Sequence, residues 1–312
     1  MAEVDTLRRF LFERYPFRGQ LVHLGPAWQA MMEHHDYPPR VRDTLGEAVA
    51  ATALLSSTLK YKGLLSLQLR GEGPMHLMLV ECTDGLALRA VARFRDPPET
   101  RDLRELSGNG TLTVTIENED HGDRSQASRY QGVVPLVGAA MSDCLREYFE
   151  SSEQLPTRLW LHADGTNVSG LLLQRLPVAA KPASVLESGA GVVPQDEIED
   201  AWRRVQLVAD TVTGDELAQL DDHKLLRRLF AEDDVRMFES APVFFRCRCS
   251  RERVENMLKS LGRPEVDSII EEFGQVEVRC EFCSRAYRLD AVDCAALFAR
   301  AATPGPGNPA VH

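Results

Sequence analysis

Residues 37–94 read YPPRVRDTLGEAVAATALLSSTLKYKGLLSLQLRGEGPMHLMLVECTDGLALRAVARF. Prolines 38 and 39 suit a first helical turn, where a missing N–H costs nothing, and the alanine- and leucine-rich run after them predicts a largely buried helix reaching Leu59. From Leu64 the period changes. Apolar and polar residues alternate, and Gly71, Gly73-Pro74 and Asp84-Gly85 break the alternation, so this part predicts antiparallel strands joined by tight turns.

The same rhythm recurs downstream. GNGTLTVTIENED (108–120) and TRLWLHADGTNVSGLLLQRLP (157–177) read as strands, the latter turning at Asp164-Gly165. Between them PLVGAAMSDCLREYFESSEQ (135–154) has helical spacing, and Pro156 stands where such a helix should stop. The expected class is α+β: an N-terminal sheet domain with helices packed on one face, then a helical linker, then a small C-terminal four-cysteine zinc domain. The strands and helices do not alternate as a doubly wound nucleotide-binding fold requires.

The linker begins with PASVLESGAGVVP (182–194), whose composition is that of a connector. Residues 195–240 then place Ile198, Trp202, Val205, Val208, Val212, Leu217, Leu220, Leu225, Leu226, Leu229 and Phe230 at helical spacing, among thirteen acidic and six basic side chains. That charge density repels itself, so only packing of the apolar stripe can hold the segment in place. The plain reading is a solvated connector; the sharper one is a marginally stable segment that docks or releases.

At 312 residues the chain exceeds the usual size of one core. Its 36 basic and 47 acidic side chains leave a net charge of −11, which works against nucleic acid and anionic membranes as partners. No apolar run is long enough for a membrane span, and the charged N-terminus lacks a signal-peptide pattern, which places the chain in the cytoplasm. Thiols there stay reduced, so paired cysteines point to metal or to oxidant sensing rather than to structural disulfides.

Four of the seven cysteines form two tight pairs, in FFRCRCSRER (244–253) and EVRCEFCSRAYRL (277–289), with thirty residues between Cys249 and Cys280. In extended chain Cys247 and Cys249 point the same way, and a Cys-x-x-Cys turn does the same for Cys280 and Cys283. Together they make the closed thiolate set that structural Zn²⁺ prefers. Arg246, Arg248, Arg251, Arg279 and Arg285 stand close enough to offset the charge of four thiolates and to depress their pKa values. A thiol oxidoreductase would need its pair at a helix start, whereas VEVRCEFCSRAYRL reads strand, turn, strand. The plainer alternative is a zinc staple in a constitutive binding module for RNA or ribosomal partners. Cys82, Cys144 and Cys294 read as buried apolar side chains. No nucleophile and base are paired, and no phosphate-binding loop is present.

With these motifs in order, and with LGEAVAATALLSSTLKYKGLLSLQLRGEGP (45–74), YFESSEQLPTRLWL (148–161) and GLLLQRLP (170–177), the chain resembles the redox-regulated heat-shock holdase family, Hsp33. The resemblance spans nearly the whole sequence. It implies an α/β chaperone core over 1–181, an acidic metastable linker over 182–240 and a zinc-binding redox-switch domain over 241–302, while composition alone makes 303–312 a disordered tail. It implies one Zn²⁺ held by Cys247, Cys249, Cys280 and Cys283 in the reduced, inactive state. Oxidation to Cys247–Cys249 and Cys280–Cys283 disulfides would release zinc and unfold the linker. The activated form would be a homodimer that binds unfolding client proteins without ATP, and not an enzyme. Cys294 and the proline- and glycine-rich tail lie outside the family pattern.

Overall fold

The computed structural model describes residues 4–118, 128–177 and 193–301. The connector 182–192 and the tail from 303 lie outside the described residues. The chain divides into two compact units, Met1–Arg246 and Cys247–His312, and the class is mixed α+β.

The first unit holds two six-stranded sheets rather than one. Strands β1 (Thr6–Phe12), β2 (Phe17–Leu24), β8 (Thr157–Ala163) and β9 (Val168–Arg175) form the first, with β10 (Val235–Met237) and β11 (Ala241–Pro242) added along β1. The second runs β12 (Phe244–Phe245), β5 (Ala87–Phe94), β4 (Met75–Thr83), β3 (Gly63–Arg70), β6 (Thr111–Asn118), β7 (Arg129–Val134). All pairings but β12 with β5 are antiparallel.

The predicted helix is α2 (Pro39–Thr58), following the short α1 (Pro26–Met32). It does not lie against one face of a sheet. It touches β2, β8 and β9 of the first sheet and β3, β4 and β5 of the second, and fourteen of its twenty residues are buried. Its run from Ala48 to Leu55 has almost no polar side chain to turn to solvent, and the two sheets bury it from both sides. At Gly46 the approach is close enough that a Cβ would stand 2.5 Å from the Cβ of Ala163. Two further helices, α3 (Leu103–Ser107) and α4 (Met141–Tyr148), complete this core, α4 running into a π-helical turn over Phe149–Glu153 before Pro156.

The first sheet is apolar on both faces, because successive side chains of its strands point opposite ways and both sets include apolar residues. Leu7, Val22, Leu24, Leu159 and Leu172 face α2, while Phe10, Phe12, Phe17, Leu21, Leu171 and Leu173 face the other way. Onto that second face fold the acid-rich helices α5 (Gln195–Ala209), α6 (Gly214–Gln219) and α7 (Asp222–Leu229). Their stripe of Ile198, Trp202, Val205, Leu217, Leu225, Leu226, Leu229 and Phe230 is buried there as the spacing predicts, with Val208, Val212 and Leu220 at its margin. These helices therefore form a cover. Thr213 caps α6 in a reciprocal box with Glu216, and Asp221 caps α7.

The second unit comprises α8 (Arg251–Leu261), α9 (Arg263–Phe273), the hairpin β13 (Gln275–Arg279) with β14 (Ala286–Asp290), and α10 (Ala291–Ala301). Among the described residues its core is seven buried side chains: Val254, Leu258, Val266, Val276, Leu289, Cys294 and Leu297. No described helix in either unit is long and apolar enough to cross a membrane.

Candidate metal centre

Cys247 and Cys249 lie on the extended stretch just before α8, whose first turn is capped by Ser250 accepting the Arg253 N–H at 3.2 Å. Cys280 and Cys283 lie in the turn between β13 and β14. That turn is closed by Cys280 N–H to the Arg285 carbonyl at 3.0 Å and Ser284 N–H to the Cys280 carbonyl at 2.7 Å. Ser284 takes the left-handed conformation at φ 53°, which reverses the chain and turns both sulfurs inward.

All four sulfurs lie within 4.8 Å of one another, and they are the one such group of metal-binding side chains among the described residues. Sγ of Cys247 is 3.5 Å from Sγ of Cys280, and Sγ of Cys249 is 3.5 Å from Sγ of Cys283. A tetrahedron with metal–sulfur bonds of about 2.3 Å has edges of about 3.8 Å, so the cluster has the size to hold one ion. Both of these close contacts run between the pairs, so an ion there would tie the Cys-x-Cys stretch to the Cys-x-x-Cys turn.

Electrostatics divides the four thiols. Burial pushes Cys249 up, but the hydroxyl of Tyr287, which donates to its sulfur at 3.1 Å, and the neighbouring thiols outweigh it and bring it down to about 7. Burial pushes Cys247 and Cys283 up instead. The depression at Cys249 thus comes from Tyr287 and the neighbouring thiols rather than from the arginines expected to cause it, and at Cys247 and Cys283 lost hydration prevails. The arginines divide as well. Arg251 pairs with Asp293 and Glu255, and Arg279 with Glu277, whereas Arg285 feels the charge of Cys249 and Cys283.

Tyr287 is the side chain at the cluster that motif reading does not single out; its only signal is that it stands in the strand following the Cys-x-x-Cys turn. Cys82, Cys144 and Cys294 are buried and apart from the cluster, as their apolar surroundings predict. A core of seven side chains is small for an independent module, which is the circumstance in which a bound metal supplies folding free energy.

The family model described as Hsp33 protein matches residues 5–290. A 33 kDa chaperonin of Methylobacillus flagellatus is 40% identical over 309 residues, covering 99% of both chains. Another, from Nitrosococcus oceani, is 44% identical over 298 residues and 96% of both chains. Among solved structures, the crystal structure of the 33 kDa chaperonin (heat shock protein 33 homologue) of Thermotoga maritima has the same fold, with a TM-score of 0.74 at 19% identity over 95% of this chain and 99% of that one. By a family match over nearly its whole length and by close relatives that it covers end to end, the chain belongs to the Hsp33 family of chaperones.

Proposed function

We propose that this protein is an ATP-independent holdase, not an enzyme, switched on in the cytoplasm by oxidation of Cys247, Cys249, Cys280 and Cys283. Its functional parts are a chaperone core over 1–181, a releasable linker over 182–240 and a redox switch over 241–302. The bound ion is one Zn²⁺, which suits four soft thiolates and supplies a redox-inert crosslink between the two cysteine pairs.

Oxidation forms one disulfide within each pair, Cys247–Cys249 and Cys280–Cys283. For each, two thiolates give up two electrons and one peroxide takes them with two protons, leaving two waters. Sulfurs joined in disulfides no longer ligate metal. The four cysteines are free thiols and a disulfide brings its sulfurs to about 2.0 Å, so pairing within each pair requires local rearrangement, most of all in the small ring that Cys247 and Cys249 would close. Rearrangement at Cys247 reaches the first unit through the chain itself. Arg246 N–H, one residue away, donates to the Leu88 carbonyl at 3.0 Å, and Ala241–Pro242 and Val235–Met237 pair with β1 just upstream. The cover helices precede those strands directly.

The observation that carries this reading is that one chain holds a four-sulfur cluster and, within twenty residues before it, a highly charged cover laid on an aromatic sheet face. Lifting the cover would bare Phe10, Phe12, Phe17, Leu21, Leu171 and Leu173, an apolar surface suited to unfolding proteins rather than to nucleic acid. The active form is a homodimer.

The test treats reduced, zinc-loaded protein with peroxide at mildly raised temperature, following zinc release, aggregation of a denatured client and the disulfide map in the same sample. Release of one zinc with a parallel, thiol-reversible gain of suppression is expected. Zinc that stays bound, or leaves without any gain, would reduce the cluster to a structural staple.

A further inference from the structure

We propose that the sheet face beneath the cover selects amphipathic helices that carry carboxylates along the edges of their apolar stripe. This rests on the reading that the cover lifts, and it specifies which segments of a client dock on the face.

The polar contacts between cover and sheet run almost entirely one way. Glu197 on α5 accepts from Arg14 and from the Tyr15 hydroxyl at 3.3 Å. Gln206 accepts from Arg158 Nε at 2.7 Å, and Asp210, just beyond α5, accepts from Trp160 Nε1 at 3.0 Å. Asp222 on α7 accepts from Arg8 Nε at 2.5 Å and lies 3.0 Å from His23 Nε2, off the axis of a ring N–H bond. In each case the sheet supplies the donor and the cover the acceptor. The reversed pair, Arg236 with Glu13 at 2.9 Å, belongs to β10, which is itself a strand of that sheet.

Within this polar frame the floor is aromatic. Trp202 meets Phe17 and Phe230 meets Phe12, each with ring centroids 5.1 Å apart. Helix α5 is accordingly a template for an occupant: Ile198, Ala201, Trp202, Val205 and Ala209 make the stripe, with Glu197 at one end, Gln206 on its flank and Asp210 at the other end.

The floor supplies affinity and the frame supplies selection. The Arg14–Glu197 pair is exposed and contributes little by itself. Arg8 is different, because its side chain is only 15% exposed against Asp222 at 8%. A basic or wholly apolar segment laid over Arg8 would hold the guanidinium in a dry site without the carboxylate it has now, a penalty that an acidic segment avoids.

The experiment uses a fluorescent peptide of residues 194–230 and a second in which Glu197, Gln206, Asp210 and Asp222 are each replaced by lysine with the stripe unchanged. Each is titrated, by anisotropy, into the oxidised full chain and into reduced full chain carrying Trp202→Glu and Val205→Glu, which opens the cover without the cysteines. The milder pair Ile198→Ser and Val205→Ser serves if that variant loses its β-sheet signal in circular dichroism.

The acidic peptide is expected to bind the open forms about tenfold more tightly than the lysine peptide. The preference should shrink between about 0.05 and 0.5 M salt and vanish with Arg8→Glu plus Arg158→Glu. Equal affinities, or a preference for lysine, would overturn the proposal. Client suppression by the same oxidised sample reports separately on the switch. Suppression without charge preference keeps the holdase and removes the selectivity; charge preference in the reduced open variant, with no opening on oxidation, does the reverse.

Discussion

Trp202 of the cover lies across Phe17 of strand β2, ring centroids 5.1 Å apart and planes inclined by 55°. It is the largest side chain that the cover buries, so truncation removes a major part of what holds α5 down. Trp202→Ala should cost about 3 kcal/mol or more of docking. The reduced variant should be cleaved faster within 195–229 under limited proteolysis and should suppress client aggregation without oxidant, while its zinc content stays that of wild type. A variant that is as protease-resistant and as inactive as wild type would show that the cover is held elsewhere.

Asp222 brings a pH dependence. Burial pushes its carboxyl up, but His23 and Arg8 outweigh burial and hold it below the usual aspartate value. A carboxylate depressed on docking stabilises the docked state fully above its undocked pKa of about 3.9 and loses that contribution as pH falls through the lower docked value. Asp222→Asn should therefore weaken docking by about 3 kcal/mol at neutral pH, through loss of one partner of a buried pair. Hydrogen exchange at the α7 amides should show a difference from wild type that is constant between pH 5 and 8, as that sign requires. A difference already falling between pH 7 and 5 would assign the effect to another group.

At the sulfur cluster, Tyr287→Phe removes the hydroxyl that donates to Cys249. Losing a hydrogen bond of this kind lowers metal affinity by about tenfold or more, and the Cys249 thiol should titrate higher than in wild type. Competition with a chromophoric chelator measures the first effect and thiol alkylation of the metal-free protein against pH the second. Unchanged values in both would leave Tyr287 a packing residue.

Gly46→Ala supplies a contrast. The added methyl would meet the Cβ of Ala163 at 2.5 Å and Val168 Cγ2 at 2.9 Å, both on strands that cannot easily yield. Overpacking of this kind costs about 1–3 kcal/mol, so the melting temperature of the first unit should fall while chelator competition at the sulfur cluster stays as in wild type.

Much of this was legible in the residues, because the decisive signals are local. The length of α2, the three strands between Gly63 and Phe94, the buried stripe of the cover and the strand–turn–strand around Cys280 and Cys283 all follow from spacing and turn residues within one short window. What was not legible is non-local. Nothing in residues 39–58 says how many sheets surround them, and the alternation of β1 and β2 only gains meaning once β9 pairs beside them and the cover lies across them. At the site, spacing brings out four ligands, while the donor that distinguishes Cys249 reaches it from Tyr287 on a strand whose approach only the folded hairpin defines.

The cover is continuous with the sheet it lies on: β10 follows α7 directly and pairs with β1 through Phe10↔Met237 and Phe12↔Val235. A released cover therefore stays tethered beside its own docking face, at an effective concentration that tethers of this kind set near the millimolar range. Any occupant must outcompete it, which the unfolded cover allows and the refolded cover does not. Under the proposed switch, restoring the thiols would thus expel what had been bound by intramolecular competition, and capture and release would form a cycle set by the redox state of four sulfurs.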